Sequence, residues 1–491
     1  MKKQAYLWLI LFALLSLFST GQLSWTVAAW LAPIFGLRFW QTFEGPARRR
    51  AWHFYLALWA ALSVAWYGAT PIWGPAHFIF MAVNAAFGIL PYWLHEWVGA
   101  RLRPAFVATL AFPLAVTAVE LLTVAGSPFG NFGAEGYAQF GFSWFVQLTA
   151  VTGMLGLAFI TSWFAAVANW VWTEWENGRA WTTGLAIHAT VLLLVLGYGA
   201  VRLATAPPVE NGVQVTGLTV HQVNLHELMP MLTEDLTTFR SRTQAIHADY
   251  LAETAVAAAN GAQLVVWPEV AGIGVAEDVA VLLAAGAELA QETGIYLAIP
   301  TMTLDPTGAE QAVNQIHLLD PAGEEVLTHV KYGGNFIEGS LAGDGVLRFV
   351  DTPYGRLSAV ICWDTDFPSV IAQAGAQDVD ILLSVAADWE GIDPLHGQMA
   401  TFRAVENGMA VVRQAQGGWS VMVDGYGRIL SSASGAVQQQ SALVPTAGVT
   451  TLYPQTGDAL GWLSLLGLIG LLAYGWLRPG LGITAHDPVA E

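Results

Sequence analysis

Eight apolar runs limit what this chain can fold into. Seven lie in the first 205 residues, at about 1–19, 22–37, 51–68, 76–98, 104–125, 146–172 and 181–203, and the eighth covers 460–477. Several meet the ~17–25 residues that an α-helix needs to cross the hydrocarbon of a bilayer. Charged residues are only 11% of the chain against 55% hydrophobic, a balance foreign to ordinary soluble proteins. The first run follows a basic start and has the outline of a signal peptide. No small-x-small cleavage site follows it, and further apolar runs come at once, so it reads as a first span.

The basic residues orient this map. With the amino terminus in the cytoplasm, the inner segments hold Lys2, Lys3, Arg38, Arg48, Arg49, Arg50, Arg101, Arg103 and Arg179, whereas the outer loops 69–75 and 126–145 hold none. That asymmetry is the positive-inside pattern, with Arg202 as the exception. Seven spans then leave residues 206–455 outside, and the last run returns the chain inward to Arg478. The expected organisation is a polytopic α-helical region of about eight spans. It comprises 1–205, then an extracytoplasmic domain at 206–455, then a final span with a short cytoplasmic tail at 456–491. Glu120 lies within one apolar run and is a candidate polar anchor or functional group. The cation-free loop GSPFGNFGAEGYAQFGFSWF (126–145) reads as an aromatic interfacial connector or a lining for a lipid chain.

The middle of the chain has a different character. Residues 206–451 hold eight Arg or Lys against 28 Asp or Glu. So acidic a unit is unsuited to nucleic-acid backbones, which require clustered cations. After the linker APPVENG (206–212), short apolar runs alternate with helical stretches. Strands are expected at 213–223, 263–267, 295–301, 347–363 (two) and 380–385. Hairpins are expected across 313–329 and 410–432, and helices at 238–260 and 395–408. Such alternation suggests layered α/β structure.

Three polar residues each follow an apolar strand: Glu269 in VVWPEV, Lys331 in THVKYGG and Cys362 in VICWDTD. Cys362 is the only cysteine of the chain, and Lys331 the only lysine beyond Lys2 and Lys3. Strand ends suit catalytic groups because the sheet fixes the backbone while the loop opens a crevice. Taken singly, each has a plain structural explanation: a buried small side chain, a strand end, a turn lysine. Together they fit nucleophilic acyl transfer. A thiolate attacks a carbonyl, a carboxylate takes the thiol proton, and an ammonium stabilises both thiolate and oxyanion. No metal-ligand spacing stands out, His396 has no ligand partner at i+4, and no phosphate-binding glycine loop occurs in a strand–helix context. No cofactor is expected.

The order Glu, Lys, Cys in these contexts resembles the nitrilase (carbon–nitrogen hydrolase) superfamily. That resemblance implies an α-β-β-α sandwich, with Glu269 as base, Lys331 as the lysine and Cys362 as nucleophile. Combined with the membrane runs, the chain is similar to the bacterial apolipoprotein N-acyltransferases. HGQMATFRAVENG (396–408), RQAQGGWS (413–420), YPQTGD (453–458) and AVELLTVAGSPFGNFGAEGYA (118–138) also resemble segments of that family. The resemblance implies a phospholipid acyl donor, a Cys thioester and the N-terminal amine of diacylglyceryl-cysteine in apolipoproteins as acceptor. It also implies a bacterial inner-membrane location and a monomer. Trp389 matches a family tryptophan near the nucleophile, and Glu338, Trp363, Asp364 and Trp389 are candidate auxiliary or substrate-binding residues, Glu338 as an auxiliary carboxylate. Two departures stand out. Trp363-Asp364 replaces the family's Tyr-Glu, and Glu338 in GGNFIEG lies one residue closer to the lysine. Arg403 and Glu406, three apart on a helix, read as an ion pair. Alternative readings are a membrane-tethered amidase or nitrilase with the same triad, and a catalytically dead membrane scaffold.

Overall fold

The structure is a computed structural model that describes residues 2–102 and 105–477. Arg103, Arg478 and the expected inner tail lie outside the described residues. Among the described residues, five helices are long and apolar enough to cross a membrane: Pro75–Gly99, Phe106–Gly126, Met154–Glu176, Thr182–Ala204 and Ala459–Leu477. Three further helices, Lys2–Leu17, Thr26–Thr42 and Ala47–Ala65, pack with them.

Two spans differ from the sequence reading. The helix expected at 22–37 runs instead over Thr26–Thr42. Arg38 does not end it, because the guanidinium is buried in a 2.9 Å ion pair with Glu176. The helix expected at 146–172 is Met154–Glu176, preceded by two short turns at Ser143–Val146 and Thr149–Thr152. Gly153 separates them at φ 63°, with the Tyr453 ring packed where a side chain would stand. A left-handed residue in such close contact is a place for glycine, and it resets the helix start.

Residues 212–445 build two sheets. The first has the order Gln438–Pro445, Gly212–Thr219, Leu264–Val266, Tyr296–Leu304, Val313–Leu319, Glu325–Val330, with Gly272–Val275 also paired to Tyr296–Leu304. The second runs Ile429–Ala433, Ser420–Val423, Ala410–Gln416, Ile381–Ala387, Gly355–Ile361, Phe349–Thr352. The hairpin expected over 410–432 is therefore three strands. One turn falls at 424–427, and Gly417, at φ 71°, makes an earlier turn that starts a new strand.

The period-2 alternation of strands sorts their side chains between two cores. Leu264, Val266, Leu357, Ala359, Ile361 and Leu383 meet between the sheets. Val265 and Leu297 face outward to Leu236–Ala259 and Ala276–Thr293. Val360 and Leu382 face Pro368–Ala376 and Leu395–Asn407. Central strands apolar on both faces require helices on both sides, and the result is the α-β-β-α order that the resemblance implied.

This unit docks on one end of the helices. Asn131 N–H donates to the Asp366 carbonyl at 2.7 Å, Trp389 Nε1 to the Gly68 carbonyl at 2.8 Å, and Gln147 Nε2 to the Tyr426 carbonyl at 3.0 Å. The arginine pairs Arg38–Glu176 and Arg50–Glu96 lie toward the other ends of the helices.

Candidate active site

Glu269 follows the buried strand Leu264–Val266 and is 2% exposed. Its Oε1 accepts from Lys331 Nζ at 2.7 Å and from Asn314 Nδ2 at 2.8 Å. Its Oε2 accepts from the Ala387 N–H at 2.7 Å. Three donors fix this carboxylate in one orientation. The next residue, Val270, has φ 61°. A β-branched side chain rarely adopts that region, and the strain costs about 1–3 kcal/mol.

Lys331 leaves the strand Glu325–Val330 fully buried. Besides Glu269 it pairs with Glu338, from the short helical turn Asn335–Glu338. Burial opposes its charge, but Glu269, Cys362 and Glu338 together hold the ammonium pKa well above its ordinary value. Glu338 is pushed upward by burial and by Glu269, while Lys331 pulls it down. The displaced position of Glu338 in the sequence therefore does not keep it from the lysine.

Cys362 begins a tight turn, Cys362–Asp366, at the end of Gly355–Ile361. Its φ is 50°, a second left-handed non-glycine residue at this site. The thiol pKa is pushed up to about 11 by burial and then by Glu269, with Lys331 and His396 acting against the rise. Strain at Val270 and Cys362 marks the two places where chain direction yields to side-chain placement.

The auxiliary residues divide by role. Asp364 is not open to a substrate, because it is fully buried and accepts four bonds. Its Oδ1 takes the N–H groups of Tyr332 (2.9 Å) and Gly333 (2.8 Å). Its Oδ2 takes Ile361 N–H (2.9 Å) and pairs with His329 Nε2 (2.7 Å). It ties the nucleophile turn to the segment after the lysine, the auxiliary of the two places expected for it. Asp364→Asn loses acceptor capacity on one oxygen and strands buried donors. Its expected cost is about 2 kcal/mol or more, read as a lower thermal unfolding midpoint of the full-length protein.

Trp363 is 5% exposed and packs against Phe129, Phe132 and Trp389. The 126–145 loop is thus more than an interfacial connector, since it supplies two rings beside the nucleophile. Gly130 permits this approach, because a Cβ there would overlap the Asp366 carbonyl. Trp389 spans the interface through its bond to Gly68. Glu120 is buried near Glu135 of the same loop. Arg403 and Glu406 pair at 2.8 Å with both side chains buried, and Arg403 also donates to Tyr137 of the loop at 3.2 Å.

Sequence reasoning missed Asn314, Asp366, Asp388, His396 and Arg413. Asp388 had the same signal as the triad, a carboxylate just after the apolar strand Ile381–Ala387. His396 was set aside for want of a helical partner, but its partners come from other elements. Cys362, Asp388 and His396 bring donor atoms within 4.8 Å of one another. Those donors are already engaged. Asp388 takes Arg413 Nη2 at 2.9 and 2.7 Å, and both imidazole nitrogens face carboxylates. The group is an internal hydrogen-bond network.

A family model described as carbon-nitrogen hydrolase matches residues 219–444. The apolipoprotein N-acyltransferase of Brucella melitensis is 27% identical over 376 residues, covering 69% of this chain and 67% of the relative. That of Caulobacter vibrioides is 26% identical over 499 residues, covering 90% of this chain and 84% of the relative. Among solved structures, an amidase from Nesterenkonia sp. aligns with a TM-score of 0.38 and 21% identity, over 51% of this chain and 95% of that one. Residues 219–444 thus carry a carbon-nitrogen hydrolase domain, and the chain that holds it is similar over most of its length to apolipoprotein N-acyltransferases.

Proposed function

We propose that this protein is a membrane acyltransferase. It moves a fatty acyl chain from a phospholipid, through a thioester on Cys362, to the N-terminal amine of diacylglyceryl-cysteine in lipoproteins. The observation that carries this reading is the meeting of Glu269, Lys331 and Cys362, from three strand ends, in a domain docked on apolar helices. The names of the relatives support N-acylation of an apolipoprotein.

The chemistry runs in two halves. Glu269 takes the Cys362 proton, and the thiolate attacks the ester carbonyl of the phospholipid. Lys331 stabilises the developing oxyanion. The ester C–O bond then breaks, Glu269 returns its proton to the departing lysophospholipid alkoxide, and the thioester remains. In the second half the neutral α-amine attacks the thioester, Glu269 accepts the amine proton, and the C–S bond breaks. The proton returns to sulfur, leaving an amide and free enzyme. Because the thiol pKa lies near 11, the thiolate is scarce at neutral pH, which makes a base necessary. Glu338 balances the Lys331 charge, and Trp363 and Trp389 form part of the wall for the acyl chain.

In this reading residues 1–205 make seven spans, 206–455 form the extracytoplasmic catalytic domain, and 456–491 return the chain to the cytoplasm. The arginine-rich helix ends opposite the domain support that orientation in a bacterial inner membrane. A monomer suffices, since one chain carries all three residues.

The test uses purified full-length protein in bilayers containing phospholipid with a labelled acyl chain, followed by a diacylated lipopeptide. Label should appear on the protein and then move to the peptide amine. Label released as free fatty acid with the peptide present would instead make the protein a hydrolase. An unlabelled wild type would mark a dead domain.

A further inference from the structure

His396 lies in the first turn of Leu395–Asn407 and is completely buried. Its Nδ1 is 2.9 Å from Asp388 Oδ1, and its Nε2 is 3.1 Å from Asp366 Oδ2. A neutral imidazole donates from one nitrogen and presents a lone pair at the other. Each nitrogen here has a carboxylate oxygen as its nearest partner, closer than the Arg413 Nη2 donor at 3.3 Å from Nδ1, and the form that satisfies both carboxylates is the doubly protonated imidazolium. The two aspartates hold its pKa well above the ordinary value, although burial acts against the charge.

This cation lies beside the nucleophile, with its donor atom within 4.8 Å of the Cys362 sulfur. The spacing resembles a cysteine–histidine–aspartate triad, but the ring has no lone pair with which to take a proton. The two carboxylates offset the cost of burying its charge. Cys362 is faced by Glu269, Lys331, Asp388 and His396, and the histidine in turn by Asp366, Asp388 and Arg413, whose Nη2 is 3.3 Å from its Nδ1.

We propose that His396 is a positioning residue for Cys362: clamped as an imidazolium by Asp366 and Asp388, it supplies a fixed second charge, beside that of Lys331, that favours the thiolate. The inference rests on Cys362 being the nucleophile of the proposed function. Asp366 serves both ends of the device, since it lies on the nucleophile turn itself and bonds the ring.

Because Cys362 is the only cysteine, iodoacetamide alkylation followed by mass spectrometry reports on it without interference. The rate is measured against pH on the full-length protein in detergent, for wild type, His396→Gln and His396→Asn. Removing the charge should move the inflection to higher pH. A shift of about one pH unit appears as roughly tenfold slower alkylation at any pH below the inflection. If His396→Gln does not fold, the shorter His396→Asn, whose amide stands in for Nδ1, carries the test. An unmoved inflection with only a lower unfolding temperature would overturn the proposal in favour of a structural role. A shift to lower pH would overturn it outright. The underlying reading fails separately, by acyl transfer that survives in Cys362→Ala.

Discussion

Cys362→Ala is expected to abolish acyl labelling of the protein and to reduce lipopeptide acylation at least about a thousandfold. No other thiol exists in the chain to replace it. The effect should fall on chemistry and not on folding. The Cys362 side chain is small, and alanine removes one sulfur from the core between the sheets, a loss within the about 1 kcal/mol typical of point substitutions. Cys362→Ser keeps an oxygen nucleophile near the same base. Its hydroxyl is much harder to ionise than a thiol, so it should acylate slowly and accumulate an ester that the amine resolves slowly. Incubation with labelled phospholipid, followed by denaturing electrophoresis, distinguishes the three proteins. Rapid labelling of Cys362→Ala would remove Cys362 from the mechanism.

Lys331→Met is expected to lose both activity and stability. Methionine matches the stem of lysine but removes the cation shared by Glu269 and Glu338. Glu269, which is buried, then faces the more open Glu338 carboxylate without a counter-charge, and breaking a buried pair costs about 3–5 kcal/mol. The loss should depend on pH, with a sign that follows from linkage. Burial and the charge of Glu269 already raise the folded-state pKa of Glu338, and losing the ammonium that pulls it down raises it further. Protonated carboxyls are tolerated, so the deficit is small below the ordinary carboxylate range and grows as pH rises through the raised folded values. Thermal unfolding of wild type and variant at about pH 5 and pH 8 checks this, since the gap should widen at the higher pH. A gap that narrowed as pH rose would contradict the proposed sharing of the ammonium. Acyl labelling should fall in parallel, because the oxyanion and the thiolate lose the same charge.

The two variants separate chemistry from architecture at one site. Cys362 costs little to remove structurally because it hydrogen-bonds weakly. Lys331 costs much because its charge compensates others that burial has already made expensive. Asp364 belongs with Lys331 in this respect, since its four bonds hold the turn on which the thiol stands.

Much of this organisation was legible from local sequence. Hydropathy located the long helices because a bilayer, or a bundle packed like one, demands contiguous apolar length. Strand-end placement exposed Glu269, Lys331 and Cys362 because backbone geometry repeats every second residue and breaks where the chain turns polar. The boundaries at 22–37 and 146–172 were misjudged where a distant partner overrode the local signal, Glu176 for Arg38 and Tyr453 for Gly153.

By itself, the sequence determined that this chain holds apolar helices around an acidic α/β unit with one thiol, one domain lysine and a carboxylate at strand ends. Only the tertiary structure decided what surrounds them. His396 bonds aspartates 30 residues before it and 8 residues before it, on different elements. Asp364 reaches back 35 residues to His329, and Phe129 arrives from the helical region to pack on Trp363. None of these contacts has a periodicity or spacing to betray it. They arise when two sheets stack and strand ends distant in the chain share one edge, so charges that look solitary in sequence become mutually compensating in space.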